Sequence, residues 1–228
     1  MIPLLLLRTK MHDLKDFVIV FDLDDTLYSE RDYVISGINF LEDYLKNVYK
    51  KETKGLLLEA YFRGVDDFLE LACKNLQLPS KSKEALLWIY RLHKPNIRLV
   101  ESMKNVLLSL TNLRAEIAIL TDGRSITQRL KINALGLDHL PVYISEEYNS
   151  EKPDKKRFLA IEKHFPQRKY VYIADNPQKD FFAPLELNWI CIGANWIEKR
   201  IHNMNPKKMP NIYLDSPYDI KDYLLKYS

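Results

Sequence analysis

The sequence contains only two cysteines among its 228 residues, Cys73 and Cys191. Neither has a neighbouring cysteine or histidine at the spacing of a metal site, and no Cys-x-x-Cys motif occurs. This excludes the common cysteine-based zinc sites. Both thiols are expected to be small buried apolar side chains, which suits a protein in the reducing cytoplasm.

An excess of one charge sign is also missing. The formal net charge is +3, which is too small to indicate binding to nucleic acid or to an anionic membrane. No dense basic patch with interleaved aromatic residues occurs. The short basic runs at Lys50–Lys51 and at Lys155, Lys156 and Arg157 are predicted to be solvated faces of helices.

Long hydrophobic runs are absent as well. The N-terminal stretch MIPLLLLRTK is too short to span a bilayer, and it lacks the basic start and cleavage site of a signal peptide. It is predicted to be an extra edge segment of the fold. We therefore expect a cytoplasmic protein, a monomer or a homodimer, with neither nucleic acid nor membrane as a partner.

What the sequence does have is a cluster of carboxylates after an apolar strand. Residues 17–21, FVIVF, are typical of a fully buried strand, and Asp22, Asp24 and Asp25 follow it. Like charges this close together require a compensating cation, proton or solvent. Since ligands of open α/β sheets bind outside the carboxyl ends of the strands, this cluster is a candidate metal site.

The order of predicted elements indicates an insertion in an α/β sheet. Residues 31–94 show helical periodicity without a strand signal, with about four helices, the last starting at Ser82 as a candidate N-cap. After Pro95, helices alternate with short apolar strands at 116–120, 142–144, 170–174 and 189–193. We expect a Rossmann-like doubly wound parallel sheet in residues 1–29 and 95–228, with an inserted α-helical cap domain in residues 30–94.

Polar residues follow three later strands of this predicted sheet. Thr121, Asp122 and Gly123 follow the second strand, and Lys152 lies before a proline and a helix after the third. Asp175 and Asp180 follow the fourth. Together with Asp22 and Asp24 they supply a nucleophile, a hydroxyl, an ammonium and oxygen ligands for a divalent cation, which is the equipment of phosphate chemistry.

The four ordered segments DLDDTL, LTDG, SEKPD and ADNPQKD resemble the motifs of the haloacid dehalogenase superfamily. The layout is similar to the branch with a helical cap after the first motif and to its small-molecule phosphatases. The likeness covers residues 17 to about 193, and the cap is similar only in position and helicity. One departure is Ala174, where the last motif usually has glycine.

The resemblance implies a Mg²⁺-dependent phosphatase that hydrolyses a phosphomonoester through an aspartyl-phosphate. Asp22 is implied as the nucleophile and Asp24 as the general acid and base, with Mg²⁺ held by Asp22, the Asp24 carbonyl and Asp175. The transferring phosphoryl group is implied to bind Thr121, Lys152 and the backbone near Asp122 and Gly123. Asp180 is implied to orient Lys152 or a metal-bound water, and Thr26 to hold the loop.

Several residues also have simpler readings. Asp25 and Asp122 are equally well explained as turn-forming residues. The aromatic residues Tyr33, Phe62, Trp88 and Tyr90 are predicted to be cap core rather than a substrate platform, and no histidine is given a role.

Other functions on the same fold stay open. A metal-independent dehalogenase would not need a carboxylate at Asp24, and a phosphonatase would need a cap lysine that no pattern singles out. A phosphoglucomutase-like transferase would share the core motifs, and a non-catalytic relative would be expected to lack one of them. A cap over the site indicates a small phosphorylated substrate, either a sugar phosphate or a nucleoside monophosphate.

Overall fold

The computed structural model describes residues 13–53, 55–65, 67–79, 81–197 and 208–227. The edge segment expected at residues 1–10 lies outside these ranges. Within them no helix is both long and apolar enough to cross a bilayer.

A parallel sheet of six strands forms the centre of the molecule. The strands are β1 (Phe17–Phe21), β2 (Glu116–Thr121), β3 (Val142–Ile144), β4 (Lys169–Ala174), β5 (Ile190–Ala194) and β6 (Ile212–Leu214). Their order is β3-β2-β1-β4-β5-β6, and all neighbours are parallel. The predicted doubly wound sheet is confirmed, and the chain reverses its direction of winding between β1 and β4, where such sheets bind ligands.

The helices of the described chain follow the predicted alternation. They are α1 (Glu30–Tyr49), α2 (Leu56–Phe62), α3 (Phe68–Asn75), α4 (Ser82–Arg91), α5 (Glu101–Asn112), α6 (Ser125–Ala134), α7 (Ser145–Tyr148), α8 (Lys156–His164), α9 (Phe182–Glu186) and α10 (Asp219–Leu224). A 3₁₀ turn at Leu225–Tyr227 follows α10.

Helices cover both faces of the sheet. Successive side chains of a strand point to opposite faces, so β1 contributes to two apolar layers. Phe17, Ile19 and Phe21 pack in one layer with residues of α5, α6 and α10. Val18 and Val20 pack in the other with residues of α8 and α9. This explains why the run FVIVF is apolar at every position.

Helices α1 to α4 lie between β1 and β2 in the chain, and we call them the helical insertion. They have an apolar cluster of their own, which includes Ile38, Leu41, Leu45, Leu57, Leu69 and Leu86. The insertion leaves the sheet directly after the carboxyl end of β1. That it forms a separate cap domain with boundaries at residues 30 and 94 stays a prediction.

Two expectations about single residues are wrong. Arg157 is fully buried rather than part of a solvated helix face, because its guanidinium is held by carbonyl and carboxylate oxygens inside the fold. Ser82 is the first residue of α4 rather than its N-cap, which is Lys81 and makes no side-chain capping bond.

The aromatic residues of the insertion divide into two groups. Tyr33 is buried and Tyr90 half-buried, as expected of packed residues, although Tyr33 joins the core beneath the sheet rather than the insertion's own cluster. Phe62 and Trp88 are 54% and 43% exposed, so they are not core residues. Both cysteines are free and buried, as the sequence predicts.

Candidate active site

The loop after β1 turns sharply and brings its carboxylates to one place. Asp22 extends the pairing of β1 with β4, since its N–H donates to the Ile173 carbonyl at 2.9 Å. Asp25 has a positive φ of 51°, and its carboxylate accepts the Glu30 N–H at 2.8 Å, at the start of α1. The turn-forming reading of Asp25 therefore fits its position, and the turn carries the chain from the sheet into the insertion.

Asp22 lies in a buried network with Lys152 and Asp180. The Lys152 Nζ is 2.9 Å from Asp22 Oδ1 and 2.7 Å from Asp180 Oδ1, and it donates to the Tyr172 hydroxyl at 3.1 Å. The other oxygen of Asp180 accepts the Asn176 N–H at 2.9 Å. Both Asp180 oxygens are therefore engaged by the protein, and the Lys152 ammonium contacts Asp180 and Asp22 together.

Burial dominates the electrostatics of this network. It raises the pKa of the Asp22 carboxyl to about 7; Lys152 opposes this shift, and Asp180 and Asp175 add to it. The pKa of Lys152 lies well above its usual range because Asp180 and Asp22 outweigh its desolvation. Lys152 is therefore charged at neutral pH, whereas Asp22 needs further positive charge to be fully ionised.

Three carboxylates of the described residues are close enough to share a metal ion. One oxygen each of Asp22, Asp175 and Asp180 lies within 4.8 Å of the others, and all three residues are buried. Oxygen ligands without histidine or cysteine are those that Mg²⁺ prefers. All three could hold such an ion, and Asp180 also contacts Lys152 and the Asn176 N–H.

Asp24 contacts a lysine that the sequence reading missed. Lys131 of α6 places its Nζ 2.8 Å and 3.0 Å from the two Asp24 oxygens. The Tyr28 hydroxyl also donates to Asp24 Oδ1. Lys131 is buried, on the same face of α6 as Gln128 and Ile132. A lysine on the inward face of a helix that begins just after the second motif is a signal the sequence contained.

The second motif is fixed by Arg157 of α8 and by two lysines. Arg157 donates to the Thr121 carbonyl at 2.8 Å and pairs with the Asp122 carboxylate. Asp122 also accepts the Lys152 N–H at 3.3 Å and pairs with Lys179 at 3.3 Å. These cations lower the pKa of Asp122 against the effect of its burial. Its side chain therefore ties the second and third motifs together.

Two predicted site residues are placed differently from the others. The Gly123 N–H donates to the Ser145 hydroxyl at 2.9 Å, so in this structure it is engaged by the protein rather than directed at a ligand. Gly123 has a φ of 139°, and a Cβ there would lie 2.4 Å from Gln128 Nε2. Thr26 is fully buried, and the structure holds it through its carbonyl, which accepts the Trp196 indole N–H at 2.9 Å.

A cavity of about 200 Å³ opens over these groups. Its lining carries six carboxylates and three lysines, namely Asp22, Asp24, Asp25, Glu30, Asp122 and Asp175 against Lys131, Lys152 and Lys179, with Thr121, Gln128 and Asn176. A phosphate would add negative charge to a site that already has an excess of three carboxylates. The lining therefore fits a divalent cation, which would offset this repulsion.

Comparison with known proteins agrees with the fold and the motifs. Residues 19–193 match the model of the haloacid dehalogenase-like hydrolase family. The glyceraldehyde 3-phosphate phosphatase of Methanocaldococcus jannaschii is 26% identical over 195 residues, which are 76% of this chain and 82% of that protein.

Solved structures with the same architecture include proteins with different names. The HAD-hydrolase YfnB from Bacillus subtilis, in a form bound to magnesium, has a TM-score of 0.64 at 17% identity, with 92% of this chain and 99% of that chain covered. The 2-haloacid dehalogenase from Pseudomonas syringae pv. Tomato DC3000 gives the same score, identity and coverage. At such identities the likeness shows the fold alone, and the side chains of the site must decide the chemistry.

Proposed function

The chain belongs to the haloacid dehalogenase-like hydrolases, and we propose that it is a phosphatase that hydrolyses small phosphomonoesters with Mg²⁺ as cofactor. The observation that carries this proposal is the composition of the cavity. An excess of carboxylates at the switch point of the sheet, beside a buried lysine, suits a cation and a phosphoryl group together. A metal-independent dehalogenase has no need of that excess.

The proposed first step is transfer of the phosphoryl group to Asp22. A carboxylate oxygen of Asp22 forms a bond to phosphorus while the bond from phosphorus to the ester oxygen breaks. Asp24 gives its proton to the departing oxygen, which leaves as an alcohol. This step needs Asp22 ionised and Asp24 protonated, so one Asp24 oxygen carries the proton while the other accepts from Lys131.

The second step releases phosphate and restores both residues. Asp24, now ionised, takes a proton from a water molecule as the water oxygen attacks phosphorus. The bond between phosphorus and Asp22 breaks, and inorganic phosphate leaves. Asp22 ends ionised and Asp24 protonated, so the cycle consumes only the ester and one water.

The remaining residues are proposed to bind and orient the phosphoryl group. Lys152 has its ammonium 2.9 Å from Asp22, where it can also bind an equatorial oxygen of the phosphoryl group. Thr121 lines the same cavity, and within the described part of the chain its hydroxyl makes one hydrogen bond, a long one of 3.5 Å to the Asp122 carbonyl. It can therefore turn towards a substrate oxygen.

Mg²⁺ is proposed to be held by the carboxylates of Asp22 and Asp175 and by the Asp24 carbonyl oxygen. When bound, the cation would neutralise charge on the phosphoryl oxygens and favour the ionised form of Asp22. Asp180 is proposed to act on Lys152 rather than as a direct ligand, since Lys152 and Asn176 engage its two oxygens.

The substrate is proposed to be a small sugar phosphate. A cavity of about 200 Å³ is below the roughly 300 to 1,000 Å³ of pockets that take drug-sized ligands, so it favours a short leaving group over a nucleoside. The M. jannaschii relative is named for a three-carbon sugar phosphate, which agrees with this size. The helical insertion is proposed to act as the cap that closes over the leaving group.

The test is the release of inorganic phosphate from a panel of phosphomonoesters with the purified chain and Mg²⁺. The panel should span triose, pentose and hexose phosphates, nucleoside monophosphates and p-nitrophenyl phosphate. We expect hydrolysis, with kcat/KM highest for the shortest sugar phosphates. Absence of phosphate release from every ester, together with halide release from a 2-haloacid in a chelator, would overturn the proposal.

A further inference from the structure

Lys131 is a buried lysine whose charge faces the proposed general acid. Its side chain is 4% exposed, and its Nζ lies 2.8 Å and 3.0 Å from the two oxygens of Asp24. A buried ammonium is costly unless it is paired, so the position of Lys131 depends on Asp24, and that of Asp24 on Lys131.

The hydrogen bonds of the Lys131 ammonium are directed at Asp24. An ammonium has three N–H donors. Two of them face the Asp24 oxygens, and on its other side the Nζ lies 4.4 Å from the centroid of the Tyr33 ring, a cation–π distance. Both of these hydrogen bonds go to Asp24, so Lys131 is suited to hold the Asp24 carboxyl in place.

The contact with Tyr33 links this pair to the helical insertion. Tyr33 belongs to α1, the first helix of the insertion, and is buried, whereas Asp24 and Lys131 belong to the core of the molecule. Tyr28, at the joint between the two, donates its hydroxyl to Asp24. A movement of α1 would therefore alter the surroundings of Lys131.

We propose that Lys131 is a positioning residue that aims the Asp24 carboxyl at the leaving oxygen, and that Tyr33 of the insertion holds Lys131 in place. The inference rests on the proposed phosphatase function. In this arrangement, effective protonation of the leaving group requires the insertion to be in place, as exclusion of water does.

The dependence on the leaving group tests this role. An alkyl phosphate needs a proton on its departing oxygen, whereas p-nitrophenyl phosphate releases a stabilised anion and needs the acid little. The quantity to compare is kcat/KM, which covers the steps up to phosphoryl transfer. Lys131→Met should lower kcat/KM for the best alkyl substrate of the panel by about 10- to 100-fold, mainly in kcat, and for p-nitrophenyl phosphate by less than about threefold.

Three further variants separate positioning from general structural damage. Lys131→Arg keeps the charge and should recover most of the lost alkyl activity. Arg129→Met changes a cation two residues away on the same helix, which pairs with Glu147 instead, and should leave the alkyl-to-aryl ratio at the wild-type value. Tyr33→Leu should lower that ratio more than Tyr33→Phe, because only leucine removes the ring that faces Lys131.

Two results would overturn the inference. One is an equal loss of kcat/KM for both substrates in Lys131→Met, which would indicate binding or folding. The other is an unchanged alkyl-to-aryl ratio in Lys131→Met and in Tyr33→Leu. If Lys131→Met does not fold, the alkyl-to-aryl ratios of Tyr33→Leu and Lys131→Arg test the inference in its place. An Asp24→Asn variant distinguishes failure of this inference from failure of the phosphatase proposal. If Asp24→Asn loses activity on the alkyl substrate while the Lys131 variants keep it, the phosphatase proposal stands and only the role of Lys131 is wrong.

Discussion

At the scale of single residues, Asp22 lies in the candidate active site, where its surroundings disfavour the ionised form of its carboxyl. Its pKa in the folded protein is raised to about 7 from an ordinary value of 3.8, because it is buried beside other carboxylates. Between these two values the folded state binds a proton that the unfolded state has lost. The contribution of Asp22 to stability is therefore fully present below about pH 4 and is lost as the pH rises through 7.

Replacement of Asp22 by asparagine should test both its role in phosphoryl transfer and the destabilisation caused by its ionised form. Asp22→Asn is expected to lose essentially all phosphatase activity, because an amide is neither a nucleophile nor an anionic ligand. Without metal at pH 8, the free energy of unfolding of Asp22→Asn should exceed that of wild type by on the order of 2 kcal/mol. The difference should vanish near pH 4. Denaturant titrations across this pH range measure it.

Two other outcomes would count against these roles. Activity of Asp22→Asn above a tenth of wild type would remove Asp22 from the nucleophile role. A stability difference that does not change between pH 4 and pH 8 would mean that the carboxyl is not held protonated by its surroundings.

Substitution of Asp175 should mainly change the Mg²⁺ concentration that activity requires. As a proposed direct ligand, it should matter most when Mg²⁺ is scarce. Asp175→Ala is expected to raise the Mg²⁺ concentration needed for half-maximal activity by at least about tenfold. Titration of activity with Mg²⁺ after chelation measures this, with Glu151→Ala as a control carboxylate away from the cavity lining. An unchanged Mg²⁺ requirement in Asp175→Ala would exclude it as a ligand.

At the scale of elements, the site depends on where strands end and on which helix faces point inward. The strand ends could be predicted, because Asp22, Thr121 and Asp175 directly follow apolar runs at the carboxyl edge of a parallel sheet. Four short elements were missed, namely β6, α7, α9 and α10, each of six residues or fewer. Elements this short show few repeats of their period and are easily missed, although the three-residue strand β3 was predicted from its apolar run.

The partners that reach the site from helices could not be predicted with the same ease. Lys131 and Arg157 lie on inward faces of α6 and α8, and their long side chains carry the charge several ångströms away from the backbone. Which carboxylate each one meets depends on how the helices pack on the sheet. In the basic run at 155–157 the prediction of a solvated face is wrong for Arg157, which shares its helix face with Phe158 and Ile161, whereas Lys156 is exposed.

The helical insertion should determine which ester is hydrolysed. Glu30 of α1 lines the cavity, and burial raises its pKa, with Asp24 adding to the shift. Glu30→Gln is expected to change the kcat/KM ratios within the phosphomonoester panel severalfold, because the core is proposed to bind the shared phosphoryl group and the insertion the leaving group. Trp88→Ala, on an exposed part of the insertion, is the matched control. An equal loss for every substrate in Glu30→Gln would mean that this residue supports the fold without selecting the substrate.

At the scale of the whole molecule, a doubly wound sheet covered by helices has a crevice at the switch between β1 and β4. The four motifs meet there although they are separated by up to 158 positions in the chain, from Asp22 to Asp180. Because the insertion leaves the sheet at the end of β1, it can close over this crevice without interrupting the core. This arrangement suits the proposed division between a phosphoryl site in the core and a leaving-group site beneath the insertion.

The central claim is that Asp22 accepts the phosphoryl group from the substrate. The most direct measurement is rapid acid quenching during turnover with Mg²⁺, followed by digestion and mass spectrometry of the peptide that contains residues 17–29. The account predicts one phosphoryl group on Asp22 that appears before free phosphate, decays as phosphate is released, and is absent in Asp22→Asn and in the presence of a chelator. Phosphate release in a single turnover with no phosphorylated peptide at any quench time, or with the group on another residue, would contradict it.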